Sequence, residues 1–337
     1  MTETGPAVSY KDSKSTQSEV DKETTSEKKV ATTKSSLDVE AEKDSKKRKE
    51  SVNKVCQKIN VINVLEPPTN RRDRKSALQR FNLFHHLIVN EEHKVLYCFM
   101  PKVGCSNMKR IFVVMEGLYP SVEKVNIHIM NQEIVRLDNK KFTTEQQKYM
   151  LKNFYKFMIV RDPFERLVSA YRNKWQNKRN IELHAHLGKT IIEKYRYNNT
   201  RTVETGNDMS FTEYARYLID SPPWEVNEHW MQYEELCRPC NVKYDFIGSI
   251  DTLSRDVTHA MRQIHVNETK HHLVHMRGTP LTKSKQTTAD FLKELPRKYF
   301  DQLMAIYKTD HELFGYPLPK YETLDKRYTS PGENSNS

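Results

Sequence analysis

No run of about 18 apolar residues occurs anywhere in these 337 positions, so no segment qualifies as a membrane-spanning helix. The first 30 residues also lack the apolar stretch of a signal peptide. Membrane attachment would therefore need an anchor not visible in this sequence. Cysteine is sparse. The five residues Cys56, Cys98, Cys105, Cys237 and Cys240 are too few, and odd in number, for a disulfide scaffold. Cys237-x-x-Cys240 has no second C-x-x-C beside it, which leaves half a zinc site at most, and no metal is expected. The G-x-x-x-x-G-K-[ST] pattern is missing, which argues against a Walker-type nucleotide phosphotransferase. Internal repeats are missing too, which argues against a solenoid.

Charge is abundant and unevenly placed. The chain holds 55 Lys+Arg against 44 Asp+Glu, a net +11. Residues 1–50 contain 11 basic and 11 acidic side chains, so the whole excess lies beyond them. A positive body suits an anionic partner: phosphate-bearing ligand, acidic polysaccharide, nucleic acid or membrane surface. A solvated basic surface with no dedicated ligand fits as well. Residues 1–54 are rich in Ser, Thr, Lys, Glu and Asp, with Tyr10 the only aromatic, and read as a disordered charged tail. Lys46 to Lys49 is a basic run, read as solvated in preference to a nuclear signal. Residues 55–89 read as a linker entering the fold, 90–320 as the folded domain and 321–337 as a second tail.

Within the folded part, apolar runs of strand type cover 95–100, 155–160 and 244–250. Helical segments follow each of them, over about 106–118, 164–176 and 253–264. Ser106 is a candidate N-cap for the first, and Pro163 suits the first turn of the second. Thr143 or Thr144, and then Ser210, open further helices. Segments around 287–294 and 297–313 close the chain. Strands alternating with helices imply an α/β fold with a central parallel sheet and helical decorations.

Two strand-to-helix junctions carry the chemistry. The first is Pro101-Lys102-Val103-Gly104-Cys105-Ser106-Asn107. Free N–H groups at a helix start favour an anion, Gly104 permits close approach, Ser106 adds a hydroxyl and Lys102 a mobile charge. An ordinary β–α turn with a surface lysine fits the same residues. The second junction places Arg161 at a strand end, Asp162 at a helix start and Ser169 two turns on. Arg161 and Ser169 are positioned to converge on a second phosphate. Asp162 also suits a simple cap, Arg166 surface salt bridging, and Arg172 either reading.

The paired motifs resemble those of the Golgi carbohydrate sulfotransferases that act on chondroitin, dermatan and related glycans. PKVGCSNMKR is similar to their 5′-phosphosulfate loop and VRDPFERLVSAYRNKW to their 3′-phosphate motif. HWMQYEELCRPC, YDFIGSIDTL and YKTDHELFGYPLP match in the same order, so the resemblance covers roughly residues 90–320. It implies a P-loop-like sulfotransferase domain. The implied donor is 3′-phosphoadenosine-5′-phosphosulfate, and the implied acceptor an acidic or N-acetylhexosamine-containing glycan. No nucleic acid partner is expected. Lys102 would neutralise the leaving oxygen, Ser106 and the loop backbone would hold the 5′-phosphate, and Arg161 with Ser169 the 3′-phosphate. The acceptor needs a base, and histidine suits. His128 and then His229 lie in stretches similar to family histidines, and His128 is placed first, with Glu165 and Asp162 behind. Core packing or substrate contact fits either histidine. Met108 departs from the larger aromatic common in the family.

The resemblance also implies Golgi residence, and structural disulfides at Cys237 and Cys240 suit a lumenal enzyme, with partners unassigned; Cys105, in the phosphate loop, reads as a free thiol. Cys98 is expected to pack in its strand. Asn198-Asn199-Thr200 and Asn267-Glu268-Thr269 are glycosylation sequons that fit a secretory enzyme. Trp224 and Trp230 are candidate acceptor contacts, whereas Phe157, Phe246 and Phe314 read as core. A non-catalytic polyanion-binding protein remains the alternative, beside the phosphotransferase.

Overall fold

Four strands form the centre of the computed structural model, side by side in chain order. They are β1 (Leu87–Asn90), β2 (Val95–Cys98), β3 (Tyr155–Val160) and β4 (Phe246–Ser249). The described residues are 35–68, 70, 72–196, 205–266 and 281–329. They fall in one unit that begins at Ser35. β3 runs parallel to β2 and β4, while β1 joins β2 as an antiparallel edge. Every residue of β1, β2 and β4 is buried, the pattern of a sheet covered on both faces. Because β2, β3 and β4 are parallel, their carboxyl ends share one edge. Both strand-to-helix junctions open there.

Three sequence expectations are corrected. Ser36–Cys56 forms a helix, α1, instead of continuing a disordered tail. Ser35 caps it by accepting from the Asp38 N–H, and Ala41, Ser45, Val52 and Val55 are its buried stripe. The helix covers the free edge of β4 with polar atoms. Ser45 Oγ accepts from Ile247 N–H at 2.9 Å, Arg48 donates to the Ile247 carbonyl at 3.0 Å, and Lys49 to the Asp245 carbonyl at 2.8 Å. An unpaired strand edge needs such partners. The basic run 46–49 is thus partly structural. Residues 1–34 of the expected tail, and both sequons, lie outside the described residues.

The expected linker 55–89 contains a second helix, α2 (Arg74–His86), and β1. Asp73 caps α2, and Leu83 and Phe84 are buried in the core. The expected second tail begins with a helix, Leu324–Thr329, that packs on the helix Leu281–Lys293.

Two disulfides brace this frame. Cys56–Cys240 ties the end of α1 to the loop before β4, and Cys98–Cys237 ties β2 to that same loop. Cys98 therefore does more than pack in its strand. Cys105 is a free thiol. Among the described residues, no helix is long and apolar enough to cross a membrane.

Candidate active site

β2 ends at Cys98, and the chain turns through Lys102 and Gly104 with φ of 73° and 85°. Positive φ at a lysine costs on the order of 1–3 kcal/mol and persists only when the surroundings hold it. Here the Lys102 carbonyl accepts from Arg161 Nη1 at 3.1 Å. Gly104 is the N-cap of α3 (Cys105–Met115), and no side chain caps that helix. A side chain at 104 would be strained by φ, and its Cβ would lie 3.1 Å from Leu253 Cδ2. The first-turn N–H groups of α3 therefore face the loop without a side-chain acceptor, the arrangement that suits a phosphate. Ser106 is an exposed first-turn residue, and the N-cap position expected of it belongs to Gly104. Pro101 and Val103 are buried supports. Asn107 Oδ1 accepts from Arg110 at 3.3 Å.

β3 delivers Arg161. Its N–H donates to the Tyr233 hydroxyl at 2.9 Å, and its guanidinium bonds Lys102 O, Ser284 Oγ and, at 3.5 Å, Glu165 Oε2. A pocket of about 230 Å³ opens beside it, lined by Lys102, Arg161, Glu165, Ser169, Arg172 and Ser284, among others. The two junctions thus meet in one cavity. Burial, then the charges of Arg161 and Lys174, lowers the Lys102 pKa against the raising effect of Cys105. Burial and the Asp162 charge push the Glu165 carboxyl up to about 7, against the pull of Arg161.

Asp162 is not part of this lining. It caps the helix Pro163–Lys174 by accepting from the N–H groups of Phe164 and Glu165 at 3.0 and 3.1 Å. Its other bonds go to Arg327 and Tyr328. Arg166 departs from its expected surface role. It is fully buried and donates from Nη1 to the His229 carbonyl at 3.2 Å and from Nη2 to the Met231 carbonyl. One motif therefore reaches the pocket through Arg161 and the His229 segment through Arg166.

The histidines separate clearly. His128 is exposed in a turn, its N–H bonded to Asn126 Oδ1 at 3.0 Å, and it does not line the pocket. His229 is held near the lysines. Burial, then the Lys174 and Lys102 charges, push its pKa down to about 3, with Glu228 opposing. It is neutral at pH 7. Asn227 Oδ1 accepts the His229 backbone N–H at 3.0 Å and lies 2.8 Å from Nδ1. That oxygen is an acceptor, so Nδ1 carries the proton and Nε2 keeps its lone pair. Neither histidine lines the pocket itself, but the Lys102 charge acts on His229.

The sequence reading missed Ser284, Thr287 and Thr288, which wall the pocket from the helix Leu281–Lys293. A hydroxyl-rich helix face was the available signal, without a motif to mark it. Trp230, a candidate acceptor contact, is fully buried against Trp175 at 5.8 Å and is core. Trp224 carries the Lys75 ammonium over its ring at 4.2 Å.

The sulfotransferase family model matches residues 85–317. The chain belongs to that family. Carbohydrate sulfotransferase 14 of Danio rerio is 40% identical over 254 residues, which cover 74% of this chain and 66% of that protein. Carbohydrate sulfotransferase 11 of Rattus norvegicus is 34% identical over 259 residues, covering 75% of this chain and 73% of that one. Carbohydrate sulfotransferase 14 of Homo sapiens is 35% identical over 245 residues, covering 72% and 62%. The chain thus spans about two thirds of these relatives' length. No solved structure matches it.

Proposed function

We propose that this chain is a carbohydrate O-sulfotransferase that uses 3′-phosphoadenosine-5′-phosphosulfate as donor and a chondroitin- or dermatan-like glycan as acceptor. The observation that carries the reading is the convergence of Lys102, Arg161 and Ser169 on one pocket. The relatives' names support the sugar acceptor, and residence in the Golgi follows from the same resemblance.

The residues divide the work. The start of α3 and the Gly104 loop hold the 5′-phosphate through backbone N–H groups. Arg161, Ser169 and the hydroxyls of the 281–293 helix hold the 3′-phosphate, the group that distinguishes this donor from ATP. The Lys102 ammonium neutralises the bridging oxygen as its bond to sulfur breaks. His229 Nε2 takes the proton of the attacking sugar hydroxyl. Sulfuryl transfer spreads negative charge between an entering and a leaving oxygen, so positioned cations account for most of the catalysis, as in phosphoryl transfer.

Thermal unfolding in the presence of adenosine 3′,5′-bisphosphate, beside ADP with magnesium, tests the reading. At about 100 times its dissociation constant a ligand adds roughly 2.7 kcal/mol. Stabilisation by the bisphosphate alone, lost in Arg161→Ala, is expected. Stabilisation by ADP alone would replace the reading with a phosphotransferase. No response to either would leave polyanion binding.

A further inference from the structure

A second pair of cations, Lys109 and Arg136, lies outside the lining of the donor pocket. Lys109 on α3 is only 9% exposed, and its ammonium sits 3.8 Å from the centroid of the Phe99 ring. Arg136 lies 6.0 Å from the same ring. The Arg136 segment is pinned to β1: Val89 N–H donates to Val135 O, and Leu137 N–H to Leu87 O, each at 2.9 Å. Phe99 directly follows β2. Both cations are thus fixed by the sheet at the edge where the donor loop begins.

Glu228 acts on both cations and Asp138 on Arg136, but neither acid closes an ion pair with them. Two acids are near, and each is already paired with a histidine. Glu228 Oε2 is 2.9 Å from His86 Nε2, and Asp138 Oδ2 is 2.9 Å from His85 Nδ1. His86 Nδ1 also lies 2.7 Å from the Asn82 carbonyl. Among the described residues neither Lys109 nor Arg136 forms an ion pair. The one polar partner of the lysine is Asn131 Oδ1 at 3.0 Å, and Arg136 Nε is buried without any. A buried ammonium such as that of Lys109 is costly unless it meets an anion, and Arg136 beside it is half-buried. Glu228 links this cluster to the base: its Oε1 lies 3.7 Å from His229 Nδ1, and the His86 ring bonded to its Oε2 lies 4.5 Å from the Phe99 ring.

We propose that Lys109 and Arg136 form an acceptor subsite that grips the carboxylate of an acidic sugar next to the hydroxyl to be sulfated. This rests on the assignment of His229 as the base. The planar guanidinium matches a carboxylate with two parallel bonds, and the ammonium adds a point charge. The subsite would select uronate-containing chains over neutral ones and set which hydroxyl reaches Nε2.

Calorimetric binding of an unsulfated chondroitin hexasaccharide, in the presence of adenosine 3′,5′-bisphosphate, tests this without turnover. The same hexasaccharide with its carboxyls reduced to alcohols is the comparison. The unmodified protein is expected to prefer the acidic form by about tenfold or more. Arg136→Gln and Lys109→Met should each weaken the acidic form by about tenfold and leave the reduced form unchanged. Both should keep the bisphosphate-induced thermal shift, and Arg136→Gln alone decides if Lys109→Met does not fold. Equal binding of the two sugars by the unmodified protein, or an equal loss of both in Arg136→Gln, overturns the subsite. Retained discrimination without sulfate transfer would overturn the proposed function and leave the subsite standing.

Discussion

On the proposed reading, Glu165 should make donor binding depend on pH in a direction opposite to the donor itself. The carboxyl is 4% exposed, lines the pocket, accepts from Ser284 Oγ at 3.2 Å and has a pKa raised from 4.5 to about 7 by burial and Asp162. A 3′-phosphate held by Arg161 in that pocket meets either a neutral carboxylic acid or a second anion. If only the protonated form accepts it, the apparent dissociation constant scales as one plus a tenfold rise per pH unit above 7. Between pH 6 and pH 8 that is about a tenfold loss, or about 1.4 kcal/mol. A phosphate monoester takes its second charge near pH 6, which tightens binding over the same range. The clean quantity is therefore the ratio to Glu165→Gln, which keeps a hydrogen-bonding side chain and cannot ionise. Calorimetry with adenosine 3′,5′-bisphosphate at pH 6, 7 and 8, at constant ionic strength, should show that ratio widening about tenfold. Stability supplies a second check. A carboxyl raised in the folded state stabilises fully below its unfolded pKa, and that contribution is lost as pH rises through about 7. The shift corresponds to about 3 kcal/mol. Without ligand, Glu165→Gln should gain on the unmodified protein between pH 5 and pH 8, less what the 3.5 Å pair with Arg161 contributes. A constant affinity ratio across that range would refute the reasoning.

His229→Ala should lower kcat by about two to four orders of magnitude with donor affinity preserved, while His128→Ala stays within a few-fold of the unmodified enzyme; single-turnover sulfate transfer separates them. Arg166→Met should lower kcat and stability together, by about 3 kcal/mol in a melt, because two buried carbonyls of the His229 segment lose charge-assisted donors. Reduction of both disulfides should lower the melting temperature by several degrees at least. Each closes a long loop, 184 and 139 residues in sequence separation, worth about 2–5 kcal/mol apiece.

Short-range patterns were legible in the sequence, and polar packing was not. The strand–loop–helix junctions at Lys102 and Arg161 are local, since hydrophobic runs end at a proline or an arginine and helix-start residues follow. The disorder assigned to 36–54 failed for a definable reason. Low hydrophobicity implies disorder only if apolar burial is what an element must offer. α1 supplies hydrogen bonds to a strand edge, plus ion pairs such as Asp44 with Arg255 at 2.7 Å, and these leave little hydrophobic signal. β1 was hidden likewise, because four residues carry no usable periodicity. The surroundings of His229 were not legible from spacing, since they depend on the buried bonds of Arg166 to the His229 and Met231 carbonyls.

On the proposed assignment, one motif bears on both halves of the reaction. Arg161 and Arg166 stand five residues apart across a helix start. One guanidinium leaves β3 toward the donor pocket, and the other points from the first turn of the next helix into the His229 backbone. Asp162 between them anchors the turn against Arg327 and Tyr328. If Arg161 holds the phosphate and His229 is the base, as proposed, a shift of that turn would displace both together and couple donor seating to base placement. The substitution that separates them is Arg161→Lys. It keeps a charge for the phosphate but removes the fork that bonds the Lys102 carbonyl and Ser284 at once. It should weaken the bisphosphate more than it alters the neutral state of His229, which histidine proton resonances across pH 5–8 would report. Appearance of a His229 titration near pH 6.5 in that variant would show that Arg161 also positions the base.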